Sequence, residues 1–301
     1  MTLLLLQVFS LFSITDLQVE APSVRLAGQM APEVSKVTAK GGQVCAGAVC
    51  GATLRTHGGV VRLAIRGKIE RSYPGDVEIT ARDGKLIAVV RLEVENAVAA
   101  VVAAEMPEGA AQAQYAQAVA ARSYYLAQKG RHAGADFCDS THCQFLTVAN
   151  AASREAALRT RGQVLRHRGE PVVAMYFRSC GGRTKRAEDV QLPGVAYPYA
   201  AVECRVCARE PYTWESEVPA ALFRSGGAEA LRLELTRRFG WNRMPSNDYT
   251  AEARGETVVL HGKGQGHGVG MCQRGAMGMA AAGEDYKRIL AHYFPGARIG
   301  D

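Results

Sequence analysis

Five glycines fall on every second position from Gly262 to Gly270, at the head of the run GKGQGHGVGMCQRGAMGMA that ends at Ala280. Successive side chains of an extended chain point to opposite faces. An extended Gly262–Gly270 would therefore leave one face bare and set Lys263, Gln265, His267, Val269 and Met271 on the other. A bare backbone face admits something close, either a neighbouring strand or a ligand. A flexible loop or a crowded sheet crossing has the same glycine content. Neither the Walker A pattern nor the dinucleotide-binding glycine fingerprint is matched, which argues against a phosphate cradle.

The rest of the chain sets the frame for that block. Its 301 residues suffice for one large domain or two of ordinary size, and 48% hydrophobic with 22% charged residues is the balance of a soluble globular protein. A net charge of +7 favours an anionic partner. The basic residues are dispersed, aromatics are only 7%, and no nucleic-acid-binding motif is present, so nucleic acid is set aside. The opening MTLLLLQVFSLFSI reads as an export signal or residual anchor within residues 1–27, with a first apolar strand as the alternative. It is too short for a stable membrane span. Eight cysteines, at 45, 50, 138, 143, 180, 204, 207 and 272, suit an exported protein with disulfides, metal sites, or both.

Along the chain, the polar stretch 22–40 reads as poorly ordered and 28–59 as a lead-in to a main domain over 60–301. From Val60 to Glu93 short apolar runs alternate with turns at Ser72–Gly75 and Arg82–Gly84, the pattern of strands and hairpins. Helices are predicted over Val94–Ala104, Ala110–Gln128, Ser153–Arg161 and Gly226–Phe239. Two more are predicted, one following the glycine block to Ala282 and one over Asp285–Tyr293. Strands are predicted at Val164–Leu165, Val172–Phe177 and Val258–Met271. The fold class is α+β: mixed strands with several helices around a cleft, and a β-rich N-terminal part.

Three constellations carry chemistry. Glu105 stands at the end of an alanine-rich helix, in VVAAEMPEG, just before Pro107. Desolvation and the negative end of a helix dipole both raise a carboxyl pKa, which suits a general acid; a surface glutamate at a helix terminus is the plain alternative. His132, Cys138, His142 and Cys143 lie within twelve residues, with Asp136 and Asp139 beside them. Cys138 and Cys143 with one or both histidines make a zinc-type ligand set, and a Cys138–Cys143 disulfide is the alternative. In MYFRSCGGRT, running from Met175 to Thr184, a strand enters a glycine-bearing turn with Ser179 and Cys180, without the serine-hydrolase elbow. Cys45 and Cys50 are close enough to bridge locally. Cys204 and Cys207 form a CxxC that pairs internally or elsewhere, and no second CxxC completes a zinc ribbon.

Four blocks, VVAAEMP, AQAVAARSYY, MYFRSCGGRT and the glycine run with its tail YKRILAHYFPGARI, together resemble the sporulation protein D / amidase enhancer (SpoIID/LytB) family of bacterial cell-wall proteins. The resemblance covers about residues 60–300. It implies an exported lytic transglycosylase of the periplasm or cell envelope, a lyase acting on peptidoglycan glycan strands, with Glu105 as the catalytic acid. It also implies substrate contacts from Arg122, Tyr124, Ser179, Gly181, Gly182, Gln265, His267, Gly268 and Gln273. Zn2+ at His132, Cys138, His142 and Cys143 follows from some members of the family. The alternative function is a non-catalytic, glycan-binding enhancer of a cell-wall amidase, and a metallohydrolase at the His/Cys cluster is a third. Gln112 and Tyr115 stand where the family often has charged residues. Cys180 and Cys272 replace small residues in two glycine-rich blocks, from which we expect a Cys180–Cys272 disulfide.

Overall fold

The structure, a computed structural model, describes residues 5–9, 16–65, 69–132, 134–140, 142–192, 196–224 and 227–300. The chain divides into two compact units: Met1–Pro107 with Gln128–Arg161, and Glu108–Ala127 with Gly162–Asp301. The division is not the one expected at residue 60, because the chain leaves the first unit after Pro107, returns at Gln128 and leaves again after Arg161.

The first unit is built on two sheets. One runs, in spatial order, Phe137–Cys138, Leu5–Phe9, Lys85–Glu93, Asp76–Arg82, Thr53–Thr56, Val24–Leu26 and Gln29–Ala31. The other runs Ile69–Pro74, Val60–Ile65, Asp16–Glu20, Val34–Lys40, Gln43–Ala46 and Val49–Gly51. Alternation decides which side of each strand is buried: Val77 and Ile79 on one strand, then Leu86, Ala88, Val90 and Leu92 on its hairpin partner. Asp83 and Gly84 both take positive φ (51° and 71°), the requirement of the tight hairpin turn that joins them. Strands of the two sheets touch, so these residues and Val19, Val37 and Val44 share a core.

Two segments expected to lie outside the main domain contribute strands to these sheets. The stretch read as a lead-in is β-structure, with Val24, Leu26, Val37, Val44 and Leu54 buried. Each such side chain contributes roughly 1.5–3 kcal/mol on burial, so this segment is part of the core rather than an approach to it. The opening apolar run holds the strand Leu5–Phe9, antiparallel to Lys85–Glu93. The rest of that run, residues 1–4 and 10–15, lies outside the described residues.

The first three helices are α1 (Val94–Glu105), α2 (Ala111–Ala127) and α3 (Ala151–Arg159). In α1 every residue from Ala97 to Ala103 is buried. Small side chains let α3 pack against it, and the loop after Cys143 ties on through Thr147 N–H to the Ala100 carbonyl (3.2 Å). Pro107 disfavours helical geometry at the residue before it, and Met106 turns out of the helix at φ −143°, ψ 57°. α3 opens on a reciprocal cap between Asn150 and Ser153.

The second unit holds α2 together with α4 (Arg205–Arg209), α5 (Ala228–Phe239), α6 (Gln273–Ala281) and α7 (Tyr286–Tyr293). α2 packs on α6 and α7. A three-stranded antiparallel sheet, Thr213–Pro219, Thr257–Lys263 and Asp248–Arg254, covers a core of Val218, Leu231, Leu235, Met244, Val258 and Leu260. Together the units are α+β with a β-rich N-terminal part. Among the described residues no helix is long and apolar enough to cross a membrane.

The glycine block departs from the extended strand read in the sequence. Only Gly262 lies in the strand, which ends at Lys263. Gly264, Gly266, Gly268 and Gly270 follow at φ of 81°, 102°, 87° and 83°. That is left-handed backbone, in which a β-carbon clashes with its own carbonyl. The bare side faces the neighbouring chain: a β-carbon on Gly264 would lie 2.5 Å from the Ser179 carbonyl oxygen, and one on Gly270 would lie 2.1 Å from that of Met175. Alternate glycines thus let one chain lie directly on residues 175–182.

Candidate functional site

Glu105 is the last residue of α1 and is partly buried, at the point where a helix with a fully packed centre meets solvent. A carboxyl so placed is fixed by a rigid support yet reachable. Glu108, beyond Pro107, is exposed.

The His/Cys cluster lies in the same unit, and its four ligand atoms fall within 4.8 Å of one another. His132 Nε2 is 3.4 Å from Cys143 Sγ, and His142 Nδ1 is 3.6 Å from Cys143 Sγ and 3.8 Å from Cys138 Sγ. No disulfide joins Cys138 and Cys143, so the alternative pairing is not formed. Neighbouring Cys143 and burial push the Cys138 thiol up. Buried Asp139 anchors the loop: Tyr73 O–H donates to its Oδ2 (2.8 Å), Leu146 N–H to its Oδ1 (2.9 Å), and Arg71 Nε lies 3.5 Å away. Burial raises the Asp139 carboxyl above its ordinary value against the pull of these three partners.

The substrate residues named from the resemblance all belong to the second unit. The structure brings the two glycine-bearing blocks together, since Ser179 and Gln265 exchange both backbone hydrogen bonds (3.1 and 2.7 Å). Several side chains expected to meet substrate are internal instead. Arg122 is 1% exposed and donates to the Gln163 carbonyl. Tyr124, Ser179 and Gln273 are buried, and Gln273 Nε2 reaches Gln117 Oε1 at 3.4 Å. Gly181 is pressed against Lys263. Gln265, His267 and Gly268 keep some exposure, as do Gly181 and Gly182.

His267 spends both ring nitrogens on backbone: Nε2 donates to the Tyr176 carbonyl (3.0 Å), and Nδ1 accepts from Val269 N–H (3.1 Å). Its place is therefore to fix the glycine block, rather than to offer the sugar contact expected of it. Behind it, Arg232 makes two hydrogen bonds to buried Glu229 (2.9 and 2.7 Å). Asn247 Nδ2 joins Glu229 (2.7 Å) to the His267 carbonyl (3.2 Å). Burial opposes the charge on Glu229, but Arg232 and Asn247 outweigh it and hold the carboxyl below its ordinary value. Burial, aided by Arg232 and opposed by Glu229, lowers His267 to about 4.

These shifts fix a pH dependence. Between the ordinary histidine value and about 4 the unfolded chain binds a proton that folded His267 refuses, so stability falls as pH drops through that window. Glu229 adds to the loss at lower pH, where its depressed carboxyl is forced to protonate. We expect the urea midpoint to fall by the equivalent of roughly 1–2 kcal/mol from pH 7 to pH 5. His267→Gln should flatten that fall, and an unchanged slope in this variant would assign it to other groups.

Sequence reasoning missed two features. An open groove of about 610 Å³ runs along the three-stranded sheet, lined by Trp214, Tyr249, His261, Lys263, Glu215 and Asp248. The Trp214 indole lies against the bare Gly262 and donates to Ser246 Oγ (3.0 Å). Aromatic faces beside charged rims suit a flat, hydroxyl-rich ligand, and the signal was the one glycine of the alternation that does sit in a strand. The second is a set of four buried cysteines. Cys180 and Cys272 are not joined as expected; both are free thiols that share a cluster with Cys204 and Cys207. Cys45 and Cys50 form the local disulfide.

Comparison with known proteins finds a family model and several relatives. The model of the SpoIID family, described as Stage II sporulation protein, matches residues 82–167. An uncharacterized protein of Brachyspira hyodysenteriae is 30% identical over 76% of this chain and 72% of its own length. The stage II sporulation protein D of Bacillus amyloliquefaciens is 25% identical over 71% of this chain and 76% of its own length. An amidase enhancer of Bacillus subtilis is 38% identical, over 22% of this chain and 9% of that protein.

Proposed function

The chain belongs to the SpoIID/LytB family, and from that membership we propose that it is an exported lytic transglycosylase of bacterial peptidoglycan, with Glu105 as its proton-transfer residue. The observation that carries this reading is the position of Glu105, a partly buried carboxyl on the end of a helix whose preceding turns are fully packed. Glu105 donates its proton to the oxygen bridging N-acetylmuramic acid and N-acetylglucosamine as the bond from that oxygen to muramic C1 breaks. The muramic C6 hydroxyl then bonds to C1 and gives its proton to the same carboxylate, leaving a 1,6-anhydro end. No water is consumed, so a single carboxyl serves where glycosidases ordinarily use two.

The test is direct. Purified chain is incubated with glycan strands, with and without stem peptides, and the products are analysed by mass spectrometry. Anhydro ends are expected, and their absence from both substrates would sink the catalytic reading. The match to an amidase enhancer favours one second reading, a glycan-binding protein that stimulates a cell-wall amidase. In that case the same incubation yields anhydro ends in neither substrate but faster peptide release when an amidase is added.

The His132, Cys138, His142 and Cys143 donors fit a tetrahedral Zn2+ in chemistry and in mutual distance. A closed site of four protein ligands has a structural role and would hold the loop around Asp139 in one shape. Cys138→Ser should lower the zinc content by about one equivalent and reduce thermal stability. Unchanged zinc in the folded variant would remove Cys138 from the ligand set.

A further inference from the structure

We propose that Cys180, Cys204, Cys207 and Cys272 form a second metal centre, a closed tetrathiolate site for a single divalent ion of the zinc class. The four sulfurs lie within 4.8 Å of one another, and the cysteines are 4%, 2%, 0% and 0% exposed. They come from three separate places in the chain. Cys180 sits in the turn after strand Tyr176–Phe177, Cys204 and Cys207 straddle the start of α4, and Cys272 caps α6. The backbone is built to bring them together: Phe177 pairs with Cys272 in a parallel ladder, and Cys204 N–H donates to the Gly182 carbonyl (2.8 Å).

Geometry separates the possible states of four such cysteines. A zinc–sulfur bond of about 2.3 Å in a tetrahedron puts the sulfurs about 3.8 Å apart. Cys207 Sγ and Cys272 Sγ are 3.6 Å apart, close to that edge and far from a disulfide bond length of about 2.05 Å. An iron–sulfur cubane, with its own irons and sulfides between the thiolates, needs a wider ring than 4.8 Å allows. Four protein sulfurs around one ion leave no open position for a water or substrate, so the centre is structural.

The surroundings complete the site. Three donors point at three of the sulfurs: Gly275 N–H at Cys272 (3.3 Å), the Tyr293 hydroxyl at Cys204 (3.6 Å) and the Ser179 hydroxyl beside Cys207 (3.5 Å). Such donors disperse the negative charge that four thiolates carry around one dication. Gly275 is required by the same packing, since a β-carbon there would lie 2.0 Å from the Tyr293 hydroxyl and 2.5 Å from Cys204 Sγ. The centre fastens the glycine block and α6 to the turn at Cys180, the linkage first expected of a Cys180–Cys272 disulfide.

The test uses the full chain carrying Cys138→Ser, which clears the His/Cys cluster. Metal analysis should return about one zinc equivalent, and zinc X-ray absorption should show four sulfur neighbours at about 2.3 Å and no nitrogen. Cys207→His should keep the metal and convert one sulfur neighbour to nitrogen. If Cys138→Ser does not fold, the wild type answers: an average of three sulfurs per zinc is expected from the two sites together, and an average of two overturns the proposal. A non-reduced intact mass showing these four cysteines oxidised to two disulfides also overturns it.

Discussion

Glu105→Gln should reduce the formation of anhydro ends by at least about a thousandfold while leaving the protein folded. General acid–base groups contribute about a hundred- to ten-thousandfold each, and here a single carboxyl acts twice, once as acid at the glycosidic oxygen and once as base at the C6 hydroxyl. The amide has nearly the same shape but neither donates an acidic proton nor accepts one. Because the amide keeps the shape of the carboxyl and Glu105 is the terminal, partly exposed residue of α1, the change should cost no more than about 1.5 kcal/mol, the net worth of one hydrogen bond. Glycan binding, measured by co-sedimentation with purified sacculi, should persist. Glu108→Gln is the matched control, an exposed carboxylate three residues on, and should retain wild-type turnover. Equal product yields from Glu105→Gln and wild type would leave Glu105 a surface glutamate at a helix end.

What could be read from the sequence follows the range of the interactions involved. The ends of α1, α2 and α7 were legible within about one or two residues because local chemistry sets them: strong helix formers, Pro107, and a capping Asp285. The turn at Asp83 and Gly84 was legible for the same reason. The strands between Val24 and Thr56 were not, because runs of three to seven residues broken by glycine turns barely establish a period of two. The glycine alternation was visible, but an extended strand and a chain of alternating left-handed residues demand the same spacing; only the Met175–Gly182 segment lying against it distinguishes them. Burial hid the roles of Arg122, Ser179 and Gln273, since polar residues in blocks of small residues look equally suited to substrate or to interior hydrogen bonds. The CxxC at Cys204 had its partners in single cysteines far off in sequence, Cys272 being 65 residues beyond Cys207. Their signal was that each lies within two residues of a glycine, in SCGG and GMC.

Gly270→Ala should unfold the second unit or come close to it. Two penalties coincide at this residue. Its φ of 83° is left-handed, which costs a residue with a β-carbon roughly 1–2 kcal/mol. Its β-carbon would also lie 2.1 Å from the Met175 carbonyl oxygen and 2.8 Å from the carbonyl carbon, and backbone cannot swing aside as a flexible side chain can. Met175 is held on the other side, its N–H accepted by the Tyr199 hydroxyl and its carbonyl taken by Met271 N–H (2.9 and 3.0 Å), so relief of the clash breaks a ladder bond next to the four cysteines. Overpacking of this kind adds about 1–3 kcal/mol, and the sum, about 2–5 kcal/mol, is a large part of the stability of an ordinary domain. Gly283→Ala isolates the backbone term. Gly283 has a similar φ of 91°, but nothing lies within 4 Å of its missing β-carbon, so this variant should lose only about 1–2 kcal/mol. Urea unfolding followed by tryptophan fluorescence reads both, since Trp214 and Trp241 belong to the second unit. Equal losses for the two variants would mean that the glycine block has room above it, and that its close seat on Met175 does not hold in solution.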